Sequence, residues 1–174
     1  MNTDLNASQV VSAGDVSAAE FRSICGSFPS GVTVITRRLA NGLPYGMTVS
    51  SFTSVSLHPP LILVCVDKDA GFLEAMEPGL PFIVNVLSED QQHLAKRFSD
   101  RGEEDRFAGV DWTPGWANVP LLGGTVASFG CSLDRIVEAG DHLVLIAAVR
   151  ELQRHQGRPL VWCDRAYHLL PRPR

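Results

Sequence analysis

The segment from 46 to 52 has the residue types best suited to holding a flat ligand. It reads Gly46-Met47-Thr48-Val49-Ser50-Ser51-Phe52, with small and hydroxylated residues along a strand-like run. A backbone with small side chains can approach a ring closely, and hydroxyl groups can both donate and accept hydrogen bonds. The same pattern is also that of an ordinary edge strand facing solvent, and on these residues alone that interpretation is the stronger one.

The metal-ligating residue types are scattered. No H-x-x-x-H pair and no C-x-x-C pair occurs among the histidines and cysteines, which are His58, His93, His142, His155, His168, Cys25, Cys65, Cys131 and Cys163. Dedicated zinc sites need such spacings. We therefore expect no metal, and we expect reduced cysteines in a cytoplasmic protein rather than a disulfide framework.

Several common nucleotide and hydrolase signatures are missing. The chain has no G-x-G-x-x-G, no G-x-x-x-x-G-K-[ST] and no G-x-S-x-G motif, which argues against Rossmann, P-loop and nucleophile-elbow sites. The formal net charge is −4, so no basic field exists to attract nucleic acid or anionic lipid. No apolar run approaches the length of a membrane span, and no signal-peptide pattern opens the chain. We expect neither nucleic acid nor a membrane as a partner.

The elements that must position the 46–52 segment are mostly short strands. Capping boxes at Ser17–Glu20 and Ser88–Gln91 predict two helices, the first with an apolar face of Phe21, Ile24, Cys25 and Phe28. Asp69 predicts a capped third helix through Met76. Strands are expected at 32–36, 46–55, 61–66, 81–87, 124–137, 142–152 and 159–169, of which 61–66 and 81–87 read as buried on both faces.

This pattern predicts a mainly β fold with minor α content. Long crossover helices are absent, so an antiparallel, nearly closed barrel with short helices at its rim is favoured over a doubly wound sheet. Residues 1–16 are expected to form a flexible N-terminal arm, 17–170 the single domain and 171–174 a tail. Residues 99–120 read as an irregular loop that Trp112 and Trp116 anchor to the barrel.

A set of short segments follows in a specific order between Phe21 and Leu169. They are 28–36 (FPSGVTVIT), 46–60 (GMTVSSFTSVSLHPP), 64–68 (VCVDK), 85–87 (NVL), 94–98 (LAKRF), 105–107 (DRF), 140–142 (GDH) and 167–169 (YHL). Together they closely resemble the flavin reductase-like family, whose FMN-binding split barrel also serves the reductase components of two-component flavin monooxygenases. The resemblance implies an antiparallel split β-barrel and a homodimer with flavin in a groove between barrel and partner.

The resemblance also implies where the flavin, FMN or FAD, is held. Met47, Thr48, Val49, Ser50 and Ser51 would lie along the ring and ribityl chain. The remaining cofactor-binding positions that it implies are Cys65, Val66, Asp67, Lys68, Gly71, Phe72, Asn85, Lys96, Arg97 and Phe98. Physically, the start of a helix near Asp69 would offer amides to a phosphate, and Arg97 could grip it with two hydrogen bonds.

One position departs from the family. Many members have Ser or Thr at 69–71, whereas this chain has Asp69-Ala70-Gly71. A carboxylate there would stand beside the expected phosphate. We expect a looser or differently oriented grip, in keeping with a flavin that exchanges as a substrate.

For the nicotinamide side the resemblance singles out His142, in the Gly-Asp-His turn, as the catalytic residue that binds and orients the dinucleotide. Ser30, Tyr167 and His168 are weaker candidates for the same pocket. On the residues alone, His142 would more simply finish a hairpin. Hydride transfer needs stacking and alignment more than an acid.

The sequence therefore predicts an NAD(P)H:flavin oxidoreductase that passes a hydride from NADH or NADPH to flavin and supplies a partner monooxygenase by flavin transfer. The main alternative is a non-catalytic FMN-binding carrier on the same barrel. An oxidase of the pyridoxamine-phosphate type would carry more phosphate-gripping Arg and Lys than this chain offers. A ligand-free interaction role is the least consistent with the ordered motifs.

Overall fold

The computed structural model describes residues 16–171. The arm predicted for 1–16 and the tail at 171–174 therefore lie outside the described residues, apart from Val16 and Pro171. The described residues form two α-helices, α1 (Ala18–Gly26) and α2 (Gln92–Ser99). They also form twelve strands: β1 (Ser30–Gly31), β2 (Thr33–Arg38), β3 (Pro44–Val49), β4 (Thr53–Leu57), β5 (Pro60–Asp67), β6 (Pro81–Val86), β7 (Trp112–Pro114), β8 (Pro120–Leu122), β9 (Ala127–Ala139), β10 (His142–Arg154), β11 (Val161–Cys163) and β12 (Ala166–His168).

One seven-stranded antiparallel sheet dominates the fold, with the strand order β3-β2-β6-β9-β10-β5-β4. Its inner residues, among them Ile35, Val64, Phe82 and Leu145, meet in a single buried core, so the sheet must curve around that core. The edge strands β3 and β4 are not paired with each other in the described part of the chain, so the barrel stays open along that line. The prediction of a mainly β fold with minor α content is confirmed.

A second core lies between α2 and a small sheet with the order β1-β11-β12. Leu94 and Phe98 of α2 pack there with Leu160, while Trp162 and Tyr167 cover the outside. Both predicted capping boxes are present, at Ser17–Glu20 and Ser88–Gln91. Trp112 does anchor its loop, because its ring packs edge-on against Phe107 and lies under the Arg38 guanidinium.

The structure corrects the predicted strands at three places. The run 46–55 is two strands, because the chain bends at residues 50–52. The run 159–169 is the hairpin β11–β12, since Asp164 and Arg165 adopt positive φ angles of 46° and 62°. The run 61–66 is not buried on both faces: burial alternates along β5, with Ile62, Val64 and Val66 inside and the others half-buried. By contrast 82–85 is buried on both faces, as predicted.

The helical prediction outside the capping boxes also needs correction. Asp69 caps no helix through Met76; only a single 3-10 turn, Gly71–Leu73, forms there. The apolar residues predicted on one face of α1 are open to solvent, with Phe21 63% and Ile24 66% exposed. The region 99–120 is not wholly irregular, because β7 and β8 pair within it.

Asn85 joins the two cores from within β6. It is fully buried; its side-chain amide donates to the Val34 carbonyl (3.0 Å) and the Thr36 hydroxyl (3.1 Å), and its carbonyl accepts from the Leu122 amide (3.0 Å). Every polar atom of the side chain is thus paired inside the protein. The Asn85 side chain thus adds to the backbone pairing of β2 with β6 and, together with the Thr36 hydroxyl, joins β8 to these strands.

Replacing Asn85 by Ala should lower the free energy of unfolding by about 3 kcal/mol, because the Leu122 N–H loses its only buried partner. Urea unfolding followed by tryptophan fluorescence measures it. The control is Asn41→Ala, since Asn41 is exposed and accepts a single bond from the Leu43 amide; we expect a loss of about 0.5 kcal/mol. Equal losses for the two variants would show that Asn85 is not the hub described here.

Candidate functional site

Three adjoining cavities form a continuous groove along the open line of the sheet. The cavities have volumes of about 350, 210 and 670 Å³. The first two share Thr48 and Ser99, and the last two share Ser50 and Trp162. We call the first cavity the charged end, because Asp69, Arg101 and Arg106 line it, and the other two together the aromatic end, which Phe28, Phe52, Trp162 and Tyr167 line.

The wall of the charged end is built around Gly46. A Cβ atom at this position would lie 2.8 Å from the Phe98 ring, which is itself buried and packed edge-on against Phe107. The absence of a side chain lets α2 approach β3 closely. Arg106 then covers the strand: its Nη1 donates to the Gly46 carbonyl (3.0 Å) and the Tyr45 hydroxyl (3.2 Å), with its guanidinium over the Tyr45 ring.

Strand β3 offers main-chain polar groups to the groove. It is an edge strand, and its Gly46 carbonyl points away from β2 toward Arg106. Because the two sides of a strand alternate with a period of two residues, the main-chain groups of Thr48 point the same way. Ser50 follows β3 at the bend and also lines the groove. The Thr48 hydroxyl donates to the Ala95 carbonyl (2.8 Å). A planar molecule with an amide-like edge could therefore pair with this strand.

The other wall of the charged end, residues 67–71, is organised by Asp67. Its carboxylate accepts from the Asp69 amide (2.9 Å) and from Arg101 (2.6 Å), and its carbonyl accepts from the Ala70 amide (3.0 Å). The Asp69 hydrogen bond and, after it, the Arg101 bond hold the pKa of Asp67 below its usual value. The carboxylate is therefore charged across the neutral range.

Arg37 holds the same wall from below. This arginine is only 3% exposed; its Nη1 donates to the carbonyls of Phe72 (2.7 Å) and Glu74 (2.9 Å), and its guanidinium lies beside the Phe72 ring. Burial lowers the pKa of Arg37, with Glu74 acting in the opposite direction. The buried Arg37 guanidinium therefore supports the 71–74 turn, where no α-helix forms.

The aromatic end contains two of the predicted nicotinamide residues. Tyr167 packs against Trp162 with ring centroids 4.7 Å apart, and burial raises the pKa of the Tyr167 hydroxyl. Ser30 pairs with Trp162 across β1 and β11. Arg22 and Cys25 of α1 line the same space. Flat aromatic surface and one cation therefore face the groove here.

The predicted catalytic residue His142 lies elsewhere in the chain. It opens β10 opposite Asp67, and its Nδ1 lies 2.7 Å from the Asp141 carboxylate, with the side chain 45% exposed. The hydrogen bond with His142 holds the pKa of Asp141 below its usual value. His142 lines none of the three cavities that form the groove.

Of the implied flavin residues, the structure brings Met47, Thr48, Ser50, Ser51, Gly71 and Phe98 to the groove. Ser51 also closes the joint between β3 and β4, because its hydroxyl donates to the Cys65 carbonyl (3.0 Å) and accepts from the Cys65 amide (2.9 Å). Asp67 lies behind the groove wall and acts on it through Asp69 and Arg101.

The other implied residues do not line the groove. Asn85, Val49, Val66 and Phe72 are buried in the cores. Arg97 donates to the Ala108 carbonyl and lines a separate cavity with Asp111, and the phosphate contact implied for it stays a prediction. Lys96 is exposed, Lys68 pairs with Glu138 (3.3 Å), and His168 lies 3.0 Å from the Cys163 carbonyl.

Sequence reasoning missed Tyr45, Arg101, Arg106 and Trp162 as groove residues. The two arginines flank an acidic run, Glu103-Glu104-Asp105, that reads as a solvated face. The sequence nevertheless contained an indication of a charged site: Arg101 and Arg106, five residues apart, lie in the segment that follows the helix carrying Phe98. Among the described residues, no cluster of His, Cys, Asp and Glu could hold a metal ion, and no helix is long and apolar enough to cross a membrane.

Comparison with known proteins identifies relatives along nearly the whole described chain. Residues 25–171 match the model of the flavin reductase like domain family. The chain is 39% identical over 153 residues to the reductase subunit of a flavin-dependent monooxygenase of Rhodococcus jostii, covering 87% of this chain and 77% of that protein. A solved NADH:FAD oxidoreductase of Streptomyces globisporus, in complex with NAD and FAD fragments, superposes with a TM-score of 0.84 at 36% identity, over 94% of this chain and 98% of that one.

A further relative is longer than this chain. A probable flavin reductase of Rhizobium meliloti is 47% identical over 128 residues, which are 74% of this chain but only 41% of that protein. The chain thus spans less than half the length of this relative.

Replacing Arg37 by Met should loosen the 70–76 segment, because the Phe72 and Glu74 carbonyls lose their donor. We expect amide hydrogen exchange in 70–76 to accelerate at least about tenfold, the factor that corresponds to one hydrogen bond. Exchange mass spectrometry measures it. Arg135→Met is the control, since Arg135 is exposed and pairs only with Asp134. Unchanged exchange in 70–76 would show that the turn stands without Arg37.

Proposed function

The chain belongs to the flavin reductase like domain family, and from this premise we propose that it transfers a hydride from a reduced nicotinamide dinucleotide to a flavin in the groove. The observation that carries the proposal is the groove itself. It combines an open strand edge at Thr48 and Ser50, flat aromatic surface at Trp162 and Tyr167, and cations at Arg101 and Arg106. The groove contains no triad of nucleophile, base and acid, and hydride transfer requires none.

The groove residues fit a flavin in chemical character. The flavin supplies the ring that accepts the hydride, and the chain supplies binding and orientation. The main-chain groups of Thr48 suit the amide-like edge of such a ring, because an unpaired strand edge binds extended polar partners. Met47 and Phe52 give apolar contact, and the exposed Ser99 side of the groove leaves room for the ribityl hydroxyls.

We place the nicotinamide dinucleotide at the aromatic end. Arg22 carries the positive charge there that an anionic dinucleotide needs, and Ser30 lies beside Trp162. His142 is kept as the proposed orienting residue although it lies outside the lining of the aromatic end. Its ring is half-exposed and stands opposite Asp67, so it would contact a part of the dinucleotide that extends beyond that end. Its hydrogen bond with Asp141 fixes the direction of the ring, which suits positioning rather than proton transfer.

We propose that the reduced flavin leaves to serve a separate monooxygenase in the cytoplasm. The relative from Rhodococcus jostii is named as the reductase subunit of such an enzyme. Four free cysteines fit a reducing compartment. Exchange of a small molecule needs no lasting contact between the two enzymes.

NADH and NADPH oxidation by the purified chain, with and without FMN or FAD, tests the proposal. We expect oxidation that depends on flavin, and a KM for the dinucleotide about tenfold higher in His142→Ala, as for the loss of one hydrogen bond. Flavin affinity should stay within about twofold. His93→Ala, another exposed histidine, should change neither value.

Two outcomes would contradict this assignment. If flavin binds but neither dinucleotide is consumed, the protein is a carrier rather than a reductase. If His142→Ala oxidises the dinucleotide with an unchanged KM, then His142 merely finishes its hairpin.

We further propose that the chain works as a homodimer. Strand β4 has no neighbour on its outer edge within the described residues, and Val55 and Leu57 on it are 47% and 81% exposed. Unpaired edges with exposed apolar residues tend to be covered by another chain. The apolar face of α1 is open in the same way, at the aromatic end of the groove.

Light scattering should give twice the mass of one chain for the wild type, and Leu57→Arg should shift the mass toward one chain, because a charge would have to be buried at the contact. Leu43→Arg introduces the same change at another exposed leucine, in the β2–β3 turn, and should leave the mass unchanged. A wild type of single-chain mass would refute the homodimer.

A further inference from the structure

We propose that Cys25 and Cys163 form a dithiol that hydrogen peroxide oxidises to a disulfide, and that this bond narrows the aromatic end of the groove. The inference rests on the proposed function for the source of the oxidant, because reduced flavin that reacts with oxygen returns to the oxidised form and yields hydrogen peroxide. The bond itself depends only on the two cysteines. All four cysteines of the chain lie in its described part, and each is a free thiol.

The end of α1 and the β11–β12 hairpin meet at a direct backbone contact. The Gly26 carbonyl accepts from the Asp164 amide at 2.7 Å. Cys25 and Cys163 each directly precede one of these two bonded residues. The Cys163 thiol also points at this end of the helix, where it donates to the Ser27 carbonyl (3.5 Å). The fold therefore brings two thiols from distant parts of the chain to one contact.

The other two cysteines are not placed for such a bond. Cys131 is buried in the core, and burial raises the pKa of its thiol to about 12. The thiolate is the form that reacts, so Cys131 is inert near neutral pH. Cys65 lies within β5, where it pairs with Val144 of β10. Cys25, by contrast, is exposed and lines the cavity of about 670 Å³ at the aromatic end, so peroxide reaches it from the groove.

The helix that carries Cys25 is the side of this contact that can move. A disulfide needs its two Cα atoms about 5.5 Å apart. None of the residues of α1 is buried, so a small shift of the helix breaks no core packing. The hairpin is held more firmly, because Trp162 and Tyr167 pack on the second core. Oxidation therefore draws the end of α1 toward the hairpin.

A shift of α1 changes the aromatic end because both sides of the contact border the same cavity. Arg22 and Cys25 line it from α1, and Trp162, the chain neighbour of Cys163, lines it from β11. The disulfide fixes these two sides close together. The dinucleotide, which we place at this end, loses space, whereas the charged end of the groove keeps its shape.

The oxidation balances with one molecule of peroxide. Hydrogen peroxide transfers an oxygen atom to the Cys25 sulfur, which becomes a sulfenic acid as one water leaves. The Cys163 sulfur then attacks the Cys25 sulfur, the S–O bond breaks, and a second water leaves with the thiol proton. Two thiols and one peroxide thus give one disulfide and two waters. A reductase whose reduced flavin meets only oxygen would in this way lower its own consumption of NADH.

Peroxide treatment of the purified full chain, followed by peptide mapping without reductant, tests the bond. We expect one linked pair of peptides, carrying Cys25 and Cys163, that dithiothreitol separates. Cys131→Ala is the matched control and should form the same link, because it removes a different thiol. Cys25→Ser and Cys163→Ser should form no link. A wild type without this link, or with a link between two chains instead, overturns the proposal.

NADH oxidation before and after peroxide tests the effect on the groove. In the wild type the KM for NADH should rise about tenfold, the size of one lost hydrogen bond, and dithiothreitol should reverse the rise. Cys25→Ser, treated in the same way, should show no rise. This variant also controls for oxidation of Met47, which lines the groove and is present in both proteins. A linked wild type with an unchanged KM, or an equal rise in Cys25→Ser, overturns the narrowing.

The proposed function and this inference fail in different ways, because the peroxide is added from outside. Protein that oxidises NADH with flavin but forms no bond between Cys25 and Cys163 overturns the inference alone. Protein that forms the bond but never oxidises a dinucleotide refutes the proposed function and supports the dithiol.

Discussion

The fold depends on one constraint: the two edges of the seven-stranded sheet, β3 and β4, are consecutive in the chain yet do not pair. Ser51 sits at the joint between them, and its hydroxyl both donates to and accepts from the backbone of Cys65. These two hydrogen bonds hold the bend at residues 50–52 against β5, while the outer edge of β3 stays unpaired. Had the two strands paired with each other, the outward main-chain groups of Gly46 and Thr48 would be used in that pairing, and no groove could run beside them. The groove therefore lies along the line between β3 and β4 at which the barrel stays open.

Much of this arrangement could be predicted from the sequence. The capping boxes, the buried strand β6 and the position of the 46–52 segment follow from local patterns that the tertiary structure does not override. The bend at residues 50–52 could not be predicted, because nothing in Ser50-Ser51 excludes a straight strand; the bend exists because Ser51 meets Cys65 across the fold. The helix expected after Asp69 failed for a similar reason. The Asp69 amide found its acceptor in Asp67, two residues back, and a turn formed instead.

The same distinction between local pattern and tertiary contact applies to the site residues. Met47, Thr48, Ser50 and Ser51 reach the groove because they lie on or beside an edge strand, which is a local feature. The surroundings of Arg97 and Asn85 were harder to predict, because they depend on which way a side chain points once helix and sheet have packed. Asn85 is bonded within the protein, where the buried Leu122 N–H depends on its carbonyl, and Arg97 turns to the Ala108 carbonyl. Arg101 and Arg106 line the charged end because the chain after α2 folds back over Gly46.

This arrangement of the groove suits a protein that binds and releases its ligand. A cofactor that stays bound through many turnovers is typically held by charge-assisted bonds, which are the strong ones. In this groove Arg106 makes four hydrogen bonds to the protein itself and Arg101 pairs with Asp67, so part of the charge is used within the protein, and the strand edge and the aromatic surface offer uncharged contacts for a flavin. Contacts of that kind fix the plane and direction of a ring while adding little to its residence time. A reductase that hands its reduced flavin to a second enzyme needs that combination, because the same groove must align the ring for hydride transfer and then let it go.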